Sequence, residues 1–299
     1  MENEGNLIEQ LGISIEDATF LQQVLDEVNT ESEEQTEQQQ PDMESVVAQA
    51  NTSDVLQKIP VEENESTSRF SSAIWYEKIQ QQTVILAGLG GIGSYVIFLL
   101  SRMHPASVFI YDDDVVETAN LSGQMFTSRD VGSLKTTAAI GMAKSFSNYG
   151  SIFATEHRFT SNSQAGDIMI CGFDNMEARK TFFYRWQRHV QGYRNDTDRA
   201  KCLLIDGRLA AESFQVFCIK GDDSEAMKHY AEQWLFDDEE AEETICSYKQ
   251  TSFCANMIAS VMVNCFVNFI ANQCDPLIPR DVPFFTQYDA SMMFFKTES

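Results

Sequence analysis

The sequence predicts an α/β protein with a doubly wound, mostly parallel sheet. Short apolar runs alternate with longer stretches of helical periodicity from about Ser68 onward, as a parallel sheet with crossover helices requires. The run TVILAGLGGIGS, Thr83–Ser94, is typical of a buried strand, a tight glycine turn and the start of a helix. A hydrophobic content of 43% in 299 residues is enough for a substantial core.

The individual elements follow from the same patterns, read in chain order. We predict strands at Thr83–Ala87, Ser107–Tyr111, Ile152–Glu156, Asp167–Cys171, Cys202–Asp206 and Phe214–Ile219. We predict helices at Ile92–Arg102, Leu134–Ser147, Met176–His189 and Ser252–Ile270. These elements place a nucleotide-binding domain at residues 68–299.

Residues 1–67 form a separate acidic segment in this prediction. They contain 17 acidic side chains against Lys58 alone, and large apolar residues are few after Thr30. A short amphipathic helix is expected within residues 5–29. The remainder is predicted to be a disordered linker, because it buries too little apolar surface to offset its chain entropy.

The overall charge excludes some classes of partner. A net charge of -24 and a pI near 4.4 argue against general affinity for nucleic acid or anionic membrane. Most of that charge lies in residues 1–67 and 221–243, so the predicted domain is otherwise close to neutral. Whether the acidic segments steer a basic partner or only favour solubility stays open.

The cysteines and one apolar stretch indicate where in the cell the protein is expected to be. The chain has 7 cysteines and no C-x-x-C pair, which predicts reduced thiols, a cytoplasmic location and no zinc site. Residues 251–272 carry no charge and are long enough to span a bilayer. Because Asn256, Asn264 and Asn268 cluster on one helical face, we favour a core or interface helix over a membrane span.

The glycine turn is the first candidate functional site. Gly88, Gly90 and Gly93 have the G-x-G-x-x-G spacing, in which missing side chains allow close approach of a phosphate to the backbone. The helix that follows would present its N-terminus to that anion. Asp112, at the end of the next strand, is suited to accept hydrogen bonds from ribose hydroxyls. These features are compatible with either NAD or ATP.

A longer series of motifs resembles one family. The segments DDDVVETANLSGQ, Asp112–Gln124, DVGSLK, Asp130–Lys135, and CGFDNMEAR, Cys171–Arg179, follow one another in order. They resemble the D-x-D-x-V-x-x-x-N-L-x-R-Q … D-x-G-x-x-K pattern of the ThiF, MoeB and ubiquitin-activating enzyme superfamily. The resemblance covers about Ser68 to the C-terminus.

The resemblance implies a fold and an activity. The fold is a Rossmann-like sheet with antiparallel C-terminal strands, in a homodimer. The activity is an ATP- and magnesium-dependent adenylyl transfer to the C-terminal carboxylate of a small ubiquitin-like or sulfur-carrier protein, with release of pyrophosphate. A lysine and a magnesium ion held by a carboxylate would offset the charge that builds up on the phosphates.

The resemblance also implies roles for individual residues. It assigns the phosphates to Gly88, Gly90, Gly91 and Gly93, the ribose to Asp112, further phosphate contacts to Asn120, Gln124 and Lys135, and magnesium to Asp174. Each assignment has a plainer alternative. Asp174 could instead be a helix N-cap and Lys135 a solvated residue, while Asn120 and Gln124 could only brace a loop. Arg179 is more typical of an ion pair than of a catalytic group.

Two departures from the family pattern favour a second hypothesis. Gly123 stands where the pattern has the arginine of N-L-x-R-Q, and Ser72 replaces the second arginine of an R-Y-x-R-Q entry segment. Losing both cations weakens the case for catalysis and favours a non-catalytic nucleotide-binding partner protein. An NAD-linked oxidoreductase, the third hypothesis, explains only the glycine turn and Asp112.

Cys246 is the candidate nucleophile. In the family a thiol in this part of the chain can take the activated carboxylate as a thioester or persulfide. The acidic run before Cys246 disfavours its thiolate. Cys254, Cys265 and Cys274 have apolar sequence neighbours and are predicted to be packing residues.

Overall fold

A computed structural model describes residue 67, residues 69–237 and residues 250–298. Its strands are β1 Thr83–Ala87, β2 Ser107–Tyr111, β3 Ile152–Thr155, β4 Ile168–Cys171, β5 Leu203–Ala210, β6 Ser213–Lys220, β7 Phe285–Asp289 and β8 Phe294–Glu298. Its helices are α1 Tyr76–Ile79, α2 Gly91–Ser101, α3 Lys135–Ser147, α4 Met176–Gln191, α5 Asp196–Arg199, α6 Ser224–Gln233 and α7 Ser252–Asn272. A 3₁₀ helix covers Thr118–Ser122.

All eight strands form one sheet in the order β3-β2-β1-β4-β5-β6-β7-β8. Strands β1 to β5 are parallel, and the pairings from β5 to β8 are antiparallel. The chain leaves β1 in one direction for β2 and β3 and then returns to its other side for β4. The predicted doubly wound, mostly parallel sheet with antiparallel C-terminal strands is therefore confirmed. The predicted structure of residues 1–66 lies outside the described residues.

Helices cover both faces of the sheet. Side chains of α2, α3 and α7 pack in one apolar cluster with β1, β2, β4, β5 and β6. On the other face, Phe182 and Trp186 of α4 and Tyr230 of α6 pack with Phe217 of β6 in a second cluster rich in aromatic rings. Two separate clusters are what a sheet buried on both faces requires.

Helix α7 is the one described helix long and apolar enough to cross a bilayer, yet most of it is buried. Its buried side chains pack against α2, β5 and β6. Asn256, Ser260 and Asn264 form an exposed polar face, and Asn268 donates a hydrogen bond to the Asp281 carbonyl at 2.9 Å. This is the packing of a core helix, and it accounts for the absence of charge in residues 251–272.

Besides the short helices α1 and α5 and the 3₁₀ helix, the sequence analysis did not locate α6, β7 or β8. Helix α6 lies inside the acidic run 221–243, and the high charge of this run made its short amphipathic pattern difficult to recognise. Asp223 caps its first turn by accepting from the Ala226 N–H at 2.8 Å, and only Met227 and Tyr230 are buried. Strands β7 and β8 form the C-terminal hairpin, and every residue of β8 is exposed.

Candidate active site at the carboxyl ends of the parallel strands

The glycine turn joins the end of β1 to the start of α2. Gly88 has a φ of +82°, a conformation that favours glycine. A Cβ at Gly93 would overlap the carbonyl oxygen of Gly88, so the helix lies directly on the strand end. A Cβ at Gly90 would meet no atom of the described residues within 4 Å. The described residues therefore leave room for a phosphate around Gly90, just before the N-terminus of α2.

Asp112 fixes the glycine turn to the end of β2. Its Oδ2 accepts a hydrogen bond from the Leu89 N–H at 2.6 Å, and its Oδ1 accepts from the Asp114 N–H at 2.9 Å. Burial raises the pKa of Asp112, although the Leu89 hydrogen bond and the charge of Lys135 oppose that shift. Each carboxylate oxygen has a second lone pair, so the predicted ribose contact is compatible with this geometry.

Lys135 is the first residue of α3 and is only 6% exposed. Its ammonium group pairs with the Asp114 carboxylate at 2.6 Å, and its backbone N–H donates to the Asp114 carbonyl at 2.9 Å. The alternative that Lys135 is a solvated surface residue is therefore wrong. A buried cation lies beside the strand end that carries Asp112.

Asn120 and Gln124 belong to the 3₁₀ helix and the turn after it. The Asn120 Oδ1 accepts from the Glu117 N–H at 2.8 Å, so this side chain does brace the loop. The Oε1 of Gln124 is buried and has no hydrogen-bond partner among the described residues. A structural role in the loop therefore explains the Asn120 side chain. No hydrogen bond among the described residues gives the Gln124 Oε1 such a role.

Asp174 follows β4, and its carboxylate is exposed. The alternative that Asp174 caps α4 is wrong, because the cap is Asn175, whose side chain accepts from the Ala178 N–H at 2.9 Å. Asn175 also donates to Asp174 Oδ1 at 3.1 Å. Among the described residues Asp174 takes part in no ion pair within 4.0 Å, which distinguishes it from Asp113 and Asp114.

Arg158 was missed by the sequence analysis. Its Nε donates to both oxygens of Asp113, at 3.0 and 3.2 Å. The hydrogen bond and charge of Asp113 raise the pKa of Arg158, and the charges of Asp114 and Asp174 add to that effect. Arg158 thus lies within electrostatic range of three carboxylates, one of which, Asp174, lies far from the other two in sequence.

Arg179 forms a buried ion pair, as its plainer alternative predicted. Its guanidinium pairs with Asp206 and donates to the Gly207 carbonyl at 3.0 Å and to the Phe173 carbonyl. Asp206 also accepts from Arg208 at 2.9 Å and from the Tyr230 hydroxyl at 2.8 Å. This network holds the backbone just before Asp174, and the sequence analysis did not identify Asp206 or Arg208.

The remaining candidates are the cysteines and the two departures from the family pattern. Cys254 and Cys265 are buried, and Cys274 donates to the Ile270 carbonyl at 3.5 Å, as expected of packing residues. Cys246 lies outside the described residues. Ser72 is exposed, whereas Gly123 is buried against the side chain of Gln250.

The fold and this site define a class of protein that comparison with known families identifies. A sequence model of the ThiF family matches residues 61–298. The chain therefore belongs to the ThiF family, as its motifs indicated.

Among curated relatives, several proteins named ubiquitin-like modifier-activating enzyme 5 are similar to this chain. The Culex quinquefasciatus protein is 27% identical over 145 residues, which cover 43% of this chain and 36% of that protein. The Dictyostelium discoideum protein is 41% identical over 64 residues, which cover 21% of this chain and 17% of that protein. The matched part of this chain thus spans less than half the length of these relatives.

Solved structures share the fold at low sequence identity. E. coli MccB, solved with ATP, has a TM-score of 0.58 and 14% identity over 79% of this chain and 71% of that chain. PaaA has a TM-score of 0.58 and 15% identity over 100% of this chain and 87% of that chain. These likenesses support the architecture alone.

Proposed function

We propose that this protein is an adenylyltransferase that uses ATP and magnesium to activate the C-terminal carboxylate of a small ubiquitin-like or sulfur-carrier protein. Membership of the ThiF family supports the reaction class, and the names of the curated relatives support a ubiquitin-like substrate. The observation that carries the proposal is the convergence of the open glycine turn, Asp112 and the buried Lys135 at one edge of the sheet.

The reaction joins two anions. A carboxylate oxygen of the carrier attacks the α-phosphorus of ATP, the bond from that phosphorus to the bridging oxygen breaks, and the electron pair leaves with pyrophosphate. The carboxylate is already ionised at neutral pH, so no general base is required. The chain's part is to hold the phosphates at the N-terminus of α2 and to offset their charge with Lys135, which Asp114 keeps in place.

The donor set beside the site fits magnesium. Asp113 is paired with Arg158 and Asp114 with Lys135, while the exposed Asp174 has no such partner among the described residues. Magnesium prefers carboxylate and phosphate oxygens to nitrogen or sulfur. Asp174 is therefore the residue we propose to hold it, and the ion when bound would reduce the negative charge of the polyphosphate.

Pyrophosphate exchange tests this function. Labelled pyrophosphate should enter ATP only when a carrier with a free C-terminal carboxylate is present, and the same carrier with an amidated C-terminus is the control. We expect Lys135→Met and Asp174→Ala to lower the exchange rate by roughly 10²- to 10³-fold, because each removes charge stabilisation of the transition state. Lys144→Met, at an exposed position of the same helix, should exchange like the wild type. If the wild-type protein neither binds ATP nor exchanges pyrophosphate with any carrier tested, the proposal is wrong.

Cys246 remains our candidate for accepting the activated carboxylate as a thioester. The carrier carbonyl carbon would bond to the sulfur and AMP would leave, with the thiol proton passing to solvent. On non-reducing gels we expect a covalent adduct between this protein and the carrier, which a thiol reducing agent cleaves. This adduct should be absent in Cys246→Ser and present in Cys274→Ser. A thiol-sensitive adduct that persists in Cys246→Ser would exclude this residue, whereas an adduct resistant to thiols would be the serine ester.

A non-catalytic nucleotide-binding partner protein is the second candidate function. The absence of arginine at Gly123 and Ser72 favours it, since both positions carry cations in the family pattern. Calorimetry separates the two functions. Binding of ATP without pyrophosphate exchange, in the presence of a carrier that relatives activate, would favour the partner protein, and a preference for NAD over ATP would contradict both.

A further inference from the structure

The side-chain amide of Gln250 lies between two glycines that belong to separate parts of the site. A Cβ added to Gly91, the first residue of α2, would overlap the Gln250 amide oxygen. A Cβ added to Gly123 would lie 2.5 Å from Gln250 Nε2 and 3.0 Å from its Cγ. Neither glycine could become alanine without displacing this side chain.

The backbone holds Gln250 in this place. Gln250 forms a parallel bridge with Ala211, in the turn between β5 and β6, and the next residue donates its N–H to the Ala211 carbonyl at 3.3 Å. Thr251 then caps α7, its hydroxyl accepting from the Cys254 N–H at 3.4 Å. A sheet contact and a helix start thus direct Gln250 toward the glycine turn.

Hydrogen bonding within the described part of the chain does not explain this position. The Gln250 amide makes no hydrogen bond with a described residue, although the group can donate two hydrogen bonds and accept others. It contacts Gly91 at the start of α2, where the first backbone N–H groups of a helix have no intrahelical partner, and a Cβ at the preceding Gly90 would meet no atom of the described residues within 4 Å. An amide in such a place has a natural partner in a phosphate oxygen.

We propose that Gln250 is a phosphate-binding residue that takes the place of the arginine missing at position 123. Gly91 and Gly123 lack side chains because the Gln250 amide occupies the space between them. The inference rests on the function proposed above and adds to it a residue that reaches the site from the far end of the chain. The amide supplies hydrogen-bond donors without the full charge of a guanidinium.

Calorimetric titration with MgATP tests this role directly. We expect Gln250→Ala to weaken ATP binding about tenfold, the usual order for loss of a hydrogen bond to a charged group. Gln250→Glu should weaken it further, because a carboxylate of the same shape repels phosphate. Gln233→Ala, at an exposed position on α6, is the matched control and should bind like the wild type. If Gln250 only filled space, Gln250→Met, which keeps a similar volume but has no amide, would bind ATP as the wild type does.

Gly123 provides an independent second test. Its φ of -133° is open to alanine, so the effect of Gly123→Ala should come from displacing Gln250. We expect this substitution to weaken ATP binding in the wild-type background and to have little effect in the Gln250→Ala background. Equal losses in both backgrounds would show that the two positions act independently and would overturn the proposal.

The outcomes separate this inference from the proposed function. If the wild type binds ATP and Gln250→Met binds it equally well, the role of Gln250 is wrong and the adenylyltransferase stands. If the wild type binds no ATP, both proposals are wrong. Thermal unfolding of each variant without ligand checks that a change in ATP affinity does not reflect loss of the fold.

Discussion

Asp206 is fully buried, and two guanidinium groups stabilise its charge. Burial alone would raise the pKa of this carboxyl, but Arg179 and Arg208 hold it below its usual value. Arg208 also lies over the ring of Phe217, 4.5 Å from its centre, and donates to the Trp234 carbonyl at 2.9 Å. A single carboxylate thus joins α4, β5 and α6 beneath the candidate magnesium ligand.

Removing one partner of this network should be costly. We expect Arg179→Met to lower the free energy of unfolding by about 3–5 kcal/mol, because it leaves the Asp206 charge buried with one cation fewer. Urea unfolding followed by circular dichroism measures the change. Lys201→Met, which breaks the exposed pair with Asp198, is the control and should have little effect. Similar stability for both variants would mean that the buried Asp206 charge does not depend on Arg179.

Acid should weaken the fold through a second carboxylate. Although burial opposes it, hydrogen bonds from His189 at 2.8 Å and Tyr193 at 2.7 Å keep the pKa of Asp167 below its usual value. Its contribution is therefore complete above the unfolded-state pKa of about 3.9 and is lost as the pH falls through the lower folded-state value.

Asp167→Asn measures that contribution. The variant should be less stable than the wild type at pH 7. The difference should shrink as the pH falls below about 4, until Asp167 is also protonated in the folded state, below its lowered pKa. Unfolding in urea over a series of pH values follows the two proteins. A difference that stays constant down to about pH 2.5 would mean that the charge of Asp167 is not what stabilises the fold.

At the scale of the element, alanine substitutions at two helical glycines are expected to have opposite effects on stability. Alanine at Gly93 would overlap the Gly88 backbone oxygen, whereas alanine at Gly141, inside α3, would meet no atom within 4 Å in the part of the chain that the structure describes. We expect Gly93→Ala to destabilise the protein and abolish ATP binding, because α2 must move away from β1. Gly141→Ala should raise stability by roughly 0.5–1 kcal/mol through the higher helix propensity of alanine. Thermal unfolding and ATP titration of the pair test the glycine turn, and normal ATP affinity in Gly93→Ala would contradict this geometry.

Elements with strong periodicity were predicted well, and weakly patterned ones were not. The bounds of β1 and β2 were predicted without error, because buried parallel strands are continuous apolar runs. Helix α6 was missed because acidic residues flank it on both sides and only two of its side chains are buried. The exposed strand β8 has no buried face from which a period could be read.

The same reasoning explains which candidate site residues the sequence could identify. Asp112 and Lys135 lie next to strand and helix boundaries that the sequence marks clearly, so motif spacing located them. Arg158 and Gln250 act through partners 45 or more residues away, and no local pattern encodes such pairings. The buried state of Lys135 and the capping role of Asn175 likewise needed the three-dimensional structure.

At the scale of the whole molecule, the predicted homodimer is not tested by a single chain. Most of α7 packs inside the protomer, which limits its possible interface to the exposed face around Phe253, Asn256 and Ser260. We expect light scattering to give the mass of a dimer at micromolar concentration. If it gives a monomer that does not change with concentration, the homodimer inferred from the family resemblance is wrong. A cytoplasmic location also stays a prediction, which fractionation of the source cells would check.

The position of β1 between β2 and β4 has a consequence for how the protein folds. The glycine turn and Asp112 follow β1 and β2 in one half of the sheet. Asp174 follows β4 and Asp206 lies in β5, in the other half, and Gln250 is joined to that half by its bridge to Ala211. A ligand that touches both halves binds only after they have docked on β1, so nucleotide should slow amide hydrogen exchange on both sides of that strand together. With nucleotide bound, the two halves of the sheet would then unfold together as one cooperative unit.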